Sequence, residues 1–125
     1  MNENQIGDVV VPSALKVHTI LGPGMLESAY EACLAHELAN RGLDVKRQVP
    51  IPITYESVKL DAGYRADLLV GGLVILELKV VEKILPIHKA QLLSYLKLGN
   101  LRLGYLLNFN VVHMRDGIKR LVNRL

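Results

Sequence analysis

A chain of 125 residues, half of them apolar and with a net charge of +3, has the length of one domain and enough apolar surface for a core of its own. Its mean hydropathy of +0.26 is too high for a disordered segment, and its apolar runs are too short for a spanning helix. The single cysteine, Cys33, excludes an intramolecular disulfide and a multi-cysteine zinc site.

The first ten residues hold acids and amides and no basic residue. No signal-peptide n-region is present there, and a cytoplasmic address is the default expectation. Residues 1–8 read as a polar tail. Val9 to Leu21 reads as a helix with Pro12 near its first turn. Gly22-Pro23-Gly24 breaks it, and a second helix runs from Met25 to about Arg41, closed by Gly42. Cys33, near Leu26 and Tyr30 on the apolar side of that helix, reads as a small core residue. Residues 44–55 alternate but carry Pro50 and Pro52, which suits an edge or irregular strand.

Val58 to Val70 reads as one strand, with Val58, Leu60, Ala62, Tyr64, Ala66, Leu68 and Val70 on one face. After a turn at Gly71-Gly72, Leu73 to Val80 is almost continuously apolar, the pattern of a central strand covered on both sides. Pro86 opens a third helix that runs to about Leu98 and stops at Gly99-Asn100. Arg102 to Phe109 and Ile118 to Val122 are two further strands, with a turn at Asp116-Gly117. The order α-α-β-β-β-α-β-β predicts one α/β domain over residues 1–125, a mixed sheet flanked by helices.

Charge is unevenly divided. Residues 1–78 hold 6 Lys/Arg and 10 Asp/Glu, a net of −4, and residues 79–125 hold 9 and 2, a net of +7. The basic part suits a phosphate backbone and equally suits an ordinary solvated surface. Five Tyr, one Phe and no Trp argue against a long stacking platform for single strands.

Three acids interrupt apolar patterns. On strand 73–80, Ile75, Glu77 and Lys79 share one face. Read alone, Glu77 and Lys79 form a structural ion pair first and a site second. Asp67 shares a face with Glu77 only if the turn between their strands has three residues or a bulge. A two-residue turn would place them on opposite faces. Glu27 lies within about 20° of Leu34 and Leu38 around its helix, inside the apolar arc. There it lines a wet cavity, takes a proton or a hydrogen bond, or simply answers the helix dipole from the surface. Gln91 and Tyr95 are i,i+4 neighbours on the third helix, with His88 one turn earlier. His18, His36, His88 and His113 show no ligand spacing within one helix.

These segments resemble a known family. Gly24-Met25-Leu26-Glu27-Ser28-Ala29-Tyr30 is similar to the GxxExxY signature, assigned to the nuclease-like PD-(D/E)XK superfamily. Tyr64 to Val70 resembles that superfamily's first acidic motif around Asp67, with Ala66 where its name has proline. Glu77-Leu78-Lys79 resembles the (D/E)xK motif, and Gln91 to Tyr95 the QxxxY element of its exonuclease-like branch. The likeness continues through Leu106 to Phe109 and Asp116 to Arg120, and covers about residues 9–122.

The resemblance implies a restriction-endonuclease-like fold and a metal-dependent phosphodiesterase acting on nucleic acid, DNA or RNA. Asp67 and Glu77 would hold Mg²⁺ or Mn²⁺, with the Leu78 carbonyl as a further ligand and Glu27 completing the set. Lys79 would orient the attacking water and stabilise negative charge on the phosphoryl oxygens. Gln91, Tyr95, Arg65 and Tyr30 would serve around the metal or the substrate backbone, with Lys83 and Lys89 near it. Superfamily members often dimerise or work in larger assemblies, so a homodimer is an expectation too; a membrane is not. The rival is a non-catalytic nucleic-acid-binding or protein-binding module that keeps the fold, with Glu77 paired to Lys79 and Asp67 to Arg65.

Overall fold

The computed structural model describes residues 1–61 and 63–125. Helix α1 spans Glu3–Leu21 and α2 Glu27–Asn40; strands β1 to β5 are Val45–Pro50, Ile53–Tyr55, Val58–Leu60, Arg65–Val70 and Val74–Lys79. Helix α3 is Pro86–Leu98, followed by β6 at Leu103–Asn108, a 3₁₀ turn at Met114–Gly117 and β7 at Ile118–Val122. Five strands form one mixed sheet in the order β1-β4-β5-β6-β7, in which only β5 and β6 run parallel. The expected helices-on-a-mixed-sheet architecture is therefore present, with β1 at an edge and β5 in the middle.

Each face of the sheet has its own helices. On one, Ile6, Val10, Ala14 and Val17 of α1 and Tyr30, Leu34 and Leu38 of α2 pack on Leu68, Val70, Val74, Leu76 and Leu78. On the other, Leu92, Tyr95 and Leu96 of α3 cover Ile75, Ala66 and Leu106. Leu76 and Leu78 face one layer and Ile75 the other, which is why β5 lacks a polar side along most of its length. No helix among the described residues is long and apolar enough to cross a membrane.

Four expectations need correction. Residues 3–8 are not a tail: Asn2 accepts from the Gln5 N–H at 2.8 Å and Gln5 accepts from the Asn2 N–H at 2.8 Å, a capping box that starts α1 early. Pro12 then lies inside the helix, tolerated because it and Asp8, whose carbonyl loses a partner, are both exposed. The single strand expected over 58–70 is divided. Glu56 at φ 54° turns the chain into a small β2–β3 hairpin, and Gly63, at φ 79° and bonded to Asp61 Oδ1, separates β3 from β4. Ala62, assigned to that strand's face, lies outside the described residues. Cys33 is exposed, because the buried line of α2 runs through Tyr30, Glu31, Leu34 and Leu38 and leaves Cys33 off its edge.

Candidate active site

The β4–β5 turn decides whether the acids meet. Val70 pairs with Val74, Leu69 with Ile75 and Leu68 with Leu76, so the loop is Gly71-Gly72-Leu73, three residues long. Gly71 and Gly72 take φ of 60° and 69°, the left-handed region such a turn requires. Continuing that register sets Asp67 opposite Glu77. There the ladder gives way to side chains. The Asp67 N–H donates to Glu77 Oε1 at 3.2 Å, and the Leu78 N–H donates to Asp67 Oδ2 at 2.8 Å.

Glu77 is only 5% exposed. Burial, and then the charge of Asp67, push its carboxyl up to about 8, against the opposing pull of the Asp67 N–H and Lys79. At neutral pH the pair thus carries a proton. Lys79 is half-buried on the same face, two residues on, and makes no ion pair with Glu77 among the described residues. Phe109 N–H donates to its carbonyl at 3.0 Å, and Asn108, gripping Val81 through both N–H and C=O, fixes the chain just beyond it.

Glu27 follows the buried line of α2, as its angular position predicted, but it is exposed, because the helix begins at that residue. Loss of solvent on one side and the charge of Asp67 raise its carboxyl above the usual range, with Lys79 opposing and Glu31 adding. It stands near enough to Asp67 and Lys79 to feel their charges. Among the described residues no three His, Cys, Asp or Glu side chains are grouped as a ready ion cage. Tyr95 is buried beside the pair; burial and the charge of Glu77 raise its hydroxyl. Gln91 lies one turn earlier, exposed.

Two candidates are placed elsewhere. Tyr30 is fully buried, stacked on Phe109 at 4.5 Å, and its hydroxyl donates to the Gly22 carbonyl at 2.5 Å while accepting from the Met25 N–H at 3.1 Å. It braces the loop before Glu27 and cannot touch substrate. Arg65 is exposed and forms no ion pair with Asp67. That place belongs to Gln48, whose amide donates to Asp67 Oδ1 at 3.4 Å and to Glu31 Oε1 at 2.6 Å.

Gln48 and Glu31 were not found from the sequence. Glu31 is 7% exposed and held again by Arg47, which donates to its Oε2 from Nε at 3.1 Å and from Nη2 at 2.9 Å. Gln48 reaches both acids from φ 52°, a strained setting for a residue in an edge strand. The signal available was the i,i+4 pair Glu27 and Glu31, which puts a second acid on the same helix line.

Two hard carboxylates, one held in a buried position by a proton, form a donor set that suits a divalent cation, since the cation removes the repulsion the proton now relieves. Among known proteins, the family model described as the PD-(D/E)XK nuclease superfamily matches residues 4–121. Neither the curated proteins nor the solved structures gave a match. With Asp67 facing Glu77 across a three-residue turn, Lys79 beside them and a match over nearly its whole length, the chain belongs to the PD-(D/E)XK nuclease superfamily.

Proposed function

We propose that the protein is a Mg²⁺- or Mn²⁺-dependent phosphodiesterase that hydrolyses nucleic acid, and that its finer kinship is with the GxxExxY group. The observation that carries the reading is the Asp67–Glu77 pair, two carboxyl groups on one face with the strand ladder opened between them. The ion pairs that a purely structural account needs, Glu77 with Lys79 and Asp67 with Arg65, are not formed among the described residues. Tyr30 gives the signature tyrosine a task in seating Glu27, which supports the finer kinship.

Asp67 and Glu77 would hold the cation, with the Leu78 carbonyl beside them. Once bound, the ion supplies Lewis acidity toward a phosphate oxygen and its water. The chain's own groups do the rest. Lys79 offers an ammonium to the charge that grows on the phosphoryl oxygens. Glu27, exposed at the mouth and raised in proton affinity, accepts a proton from the attacking water. Gln48 keeps Asp67 aimed, and Asn108 keeps the segment after Lys79 in place.

The test is a titration of Mn²⁺ into wild type and Asp67→Asn, followed by melting temperature and calorimetry. Asparagine is preferred to alanine because it leaves an acceptor for the Leu78 N–H. Saturable binding raises the melting temperature of wild type in proportion to RT ln(1 + [L]/Kd), and the mutant loses that gain. A mixed panel of single- and double-stranded DNA and RNA should then be cut by wild type and spared by Asp67→Asn and Lys79→Ala. Equal cleavage by all three proteins, or none by wild type with Mg²⁺ or Mn²⁺ on any of the panel, would overturn the reading in favour of a binding module.

A further inference from the structure

Between α3 and the β2–β3 hairpin runs a groove of about 570 Å³. Ile53, Ile87 and Tyr64 give it apolar walls, Tyr95 lies at its inner end, and Gln91 and Ser94 offer polar groups along it. Its size falls in the range that accepts a drug-sized ligand, and therefore a nucleoside. Tyr64 is 43% exposed, and its ring meets Tyr95 at 6.1 Å and a tilt of 56°. Exposed and lining the groove, Tyr64 presents part of its ring there. The ring stands on a fixed backbone, because the Tyr64 carbonyl accepts from the Ile51 N–H at 2.8 Å.

The groove adjoins the acidic site, because Tyr95 lines it and packs with Ala66 and Ile75, on the sheet face from which Glu77 also projects. The helix that forms one wall, α3, carries no acid, and its two lysines, Lys89 and Lys97, lie outside the groove's own lining. An exposed aromatic ring with amide and hydroxyl groups beside it, on a wall without acids and next to a phosphate-type site, matches a planar base on a phosphate chain better than it matches an acidic, aliphatic or second-copy partner.

We propose that this groove is a subsite for one unpaired nucleobase beside the scissile phosphate, stacked on Tyr64, with its edge toward Gln91 and Ser94. The proposal rests on the phosphodiesterase reading and names its substrate class: nucleic acid that is single-stranded at the cut. A base inside a duplex has both faces in the stack and presents only its edges, so it cannot use the ring. With no Trp, a buried Phe109 and only Tyr55 and Tyr64 exposed among its tyrosines, the chain offers isolated stacking positions and not a platform, and of the two only Tyr64 lines the groove.

The experiment is fluorescence anisotropy with chelator present, in the Asp67→Asn background so that nothing is cut. Three labelled ligands are compared: a short single strand, a set of the same strand with one abasic residue moved along it, and a blunt duplex. The single strand should bind tighter than the duplex. Tyr64→Leu should weaken it roughly 5- to 100-fold without changing duplex binding, as expected for one lost base–aromatic stack. Tyr64→Phe keeps the ring and should bind as the parent does. One abasic position should weaken the parent and have no effect on Tyr64→Leu. Equal losses on both ligands, no loss on either, a loss in Tyr64→Phe as large as in Tyr64→Leu, or duplex binding as tight as single-strand binding would overturn the subsite. Cleavage by the wild type is scored separately: stacking without cleavage sinks the nuclease reading alone, and cleavage without a stacking effect sinks the subsite alone.

Discussion

Glu77 is ionised in the unfolded chain above about 4.5 and keeps its proton in the native state up to about 8. Between those values the unfolded state has shed a proton that the native state still holds, so stability falls as pH rises, by up to about 1.4 kcal/mol per pH unit. Melting temperature without divalent ions should therefore drop from pH 5 to pH 8, and Glu77→Gln should flatten that fall. Added Mn²⁺ should reverse the trend, because the cation replaces the proton and binds better as pH rises. Thermal melts across this range with and without Mn²⁺ check both. At this scale the sequence was legible where simple counting applied: strand parity placed Asp67 with Glu77, and helix angle placed Glu27 on the inward line. It was silent on Gln48, whose contacts depend on a positive φ that no pattern of residue types announces.

The loop at Gly22-Pro23-Gly24 and the start of α2 behave as one element because Tyr30 ties them. Removing its hydroxyl leaves the half-buried Gly22 carbonyl and the N–H of exposed Met25 without that partner. Tyr30→Phe should cost about 0.5–1.5 kcal/mol in denaturant melts and lower cleavage further than stability alone explains, since Glu27 loses its seat. The elements with strong punctuation were readable in advance, α3 from Pro86 to its glycine stop and β7 after the Asp116-Gly117 turn, which the structure builds as a 3₁₀ segment. The β2–β3 hairpin was not, because Glu56 turns the chain where glycine is usual. Gly117 is required for a different reason. A Cβ there would collide with the Asn108 carbonyl, so Gly117→Ala should displace the segment that grips Val81 and lower the melting temperature.

Across the whole molecule, acidity and basicity occupy different parts of the chain. The acids of the site lie before residue 79. The Lys and Arg side chains after Lys79, among them Lys83, Lys89, Arg102 and Lys119, are all exposed. On the proposed reading these side chains would draw a polyanion toward an acidic pair that otherwise repels it until a cation is in place. Binding of a single strand should weaken with salt, with a log–log slope of about −2 to −4 if three to five phosphates are met. Charge reversal at Lys89 and Lys119 should make that slope shallower, read by anisotropy between 50 and 200 mM salt.

The three-residue turn between β4 and β5 carries a further consequence, for how this chain can change over generations. Both strands are buried on alternating sides, so adding or deleting one residue at Gly71-Gly72 turns every side chain of one strand over and parts Asp67 from Glu77 without altering either of them. Two residues added together leave the faces as they were. Length variation at this turn is therefore expected in even steps, and an odd step is either matched by a bulge nearby or marks a descendant in which the two acids no longer act together.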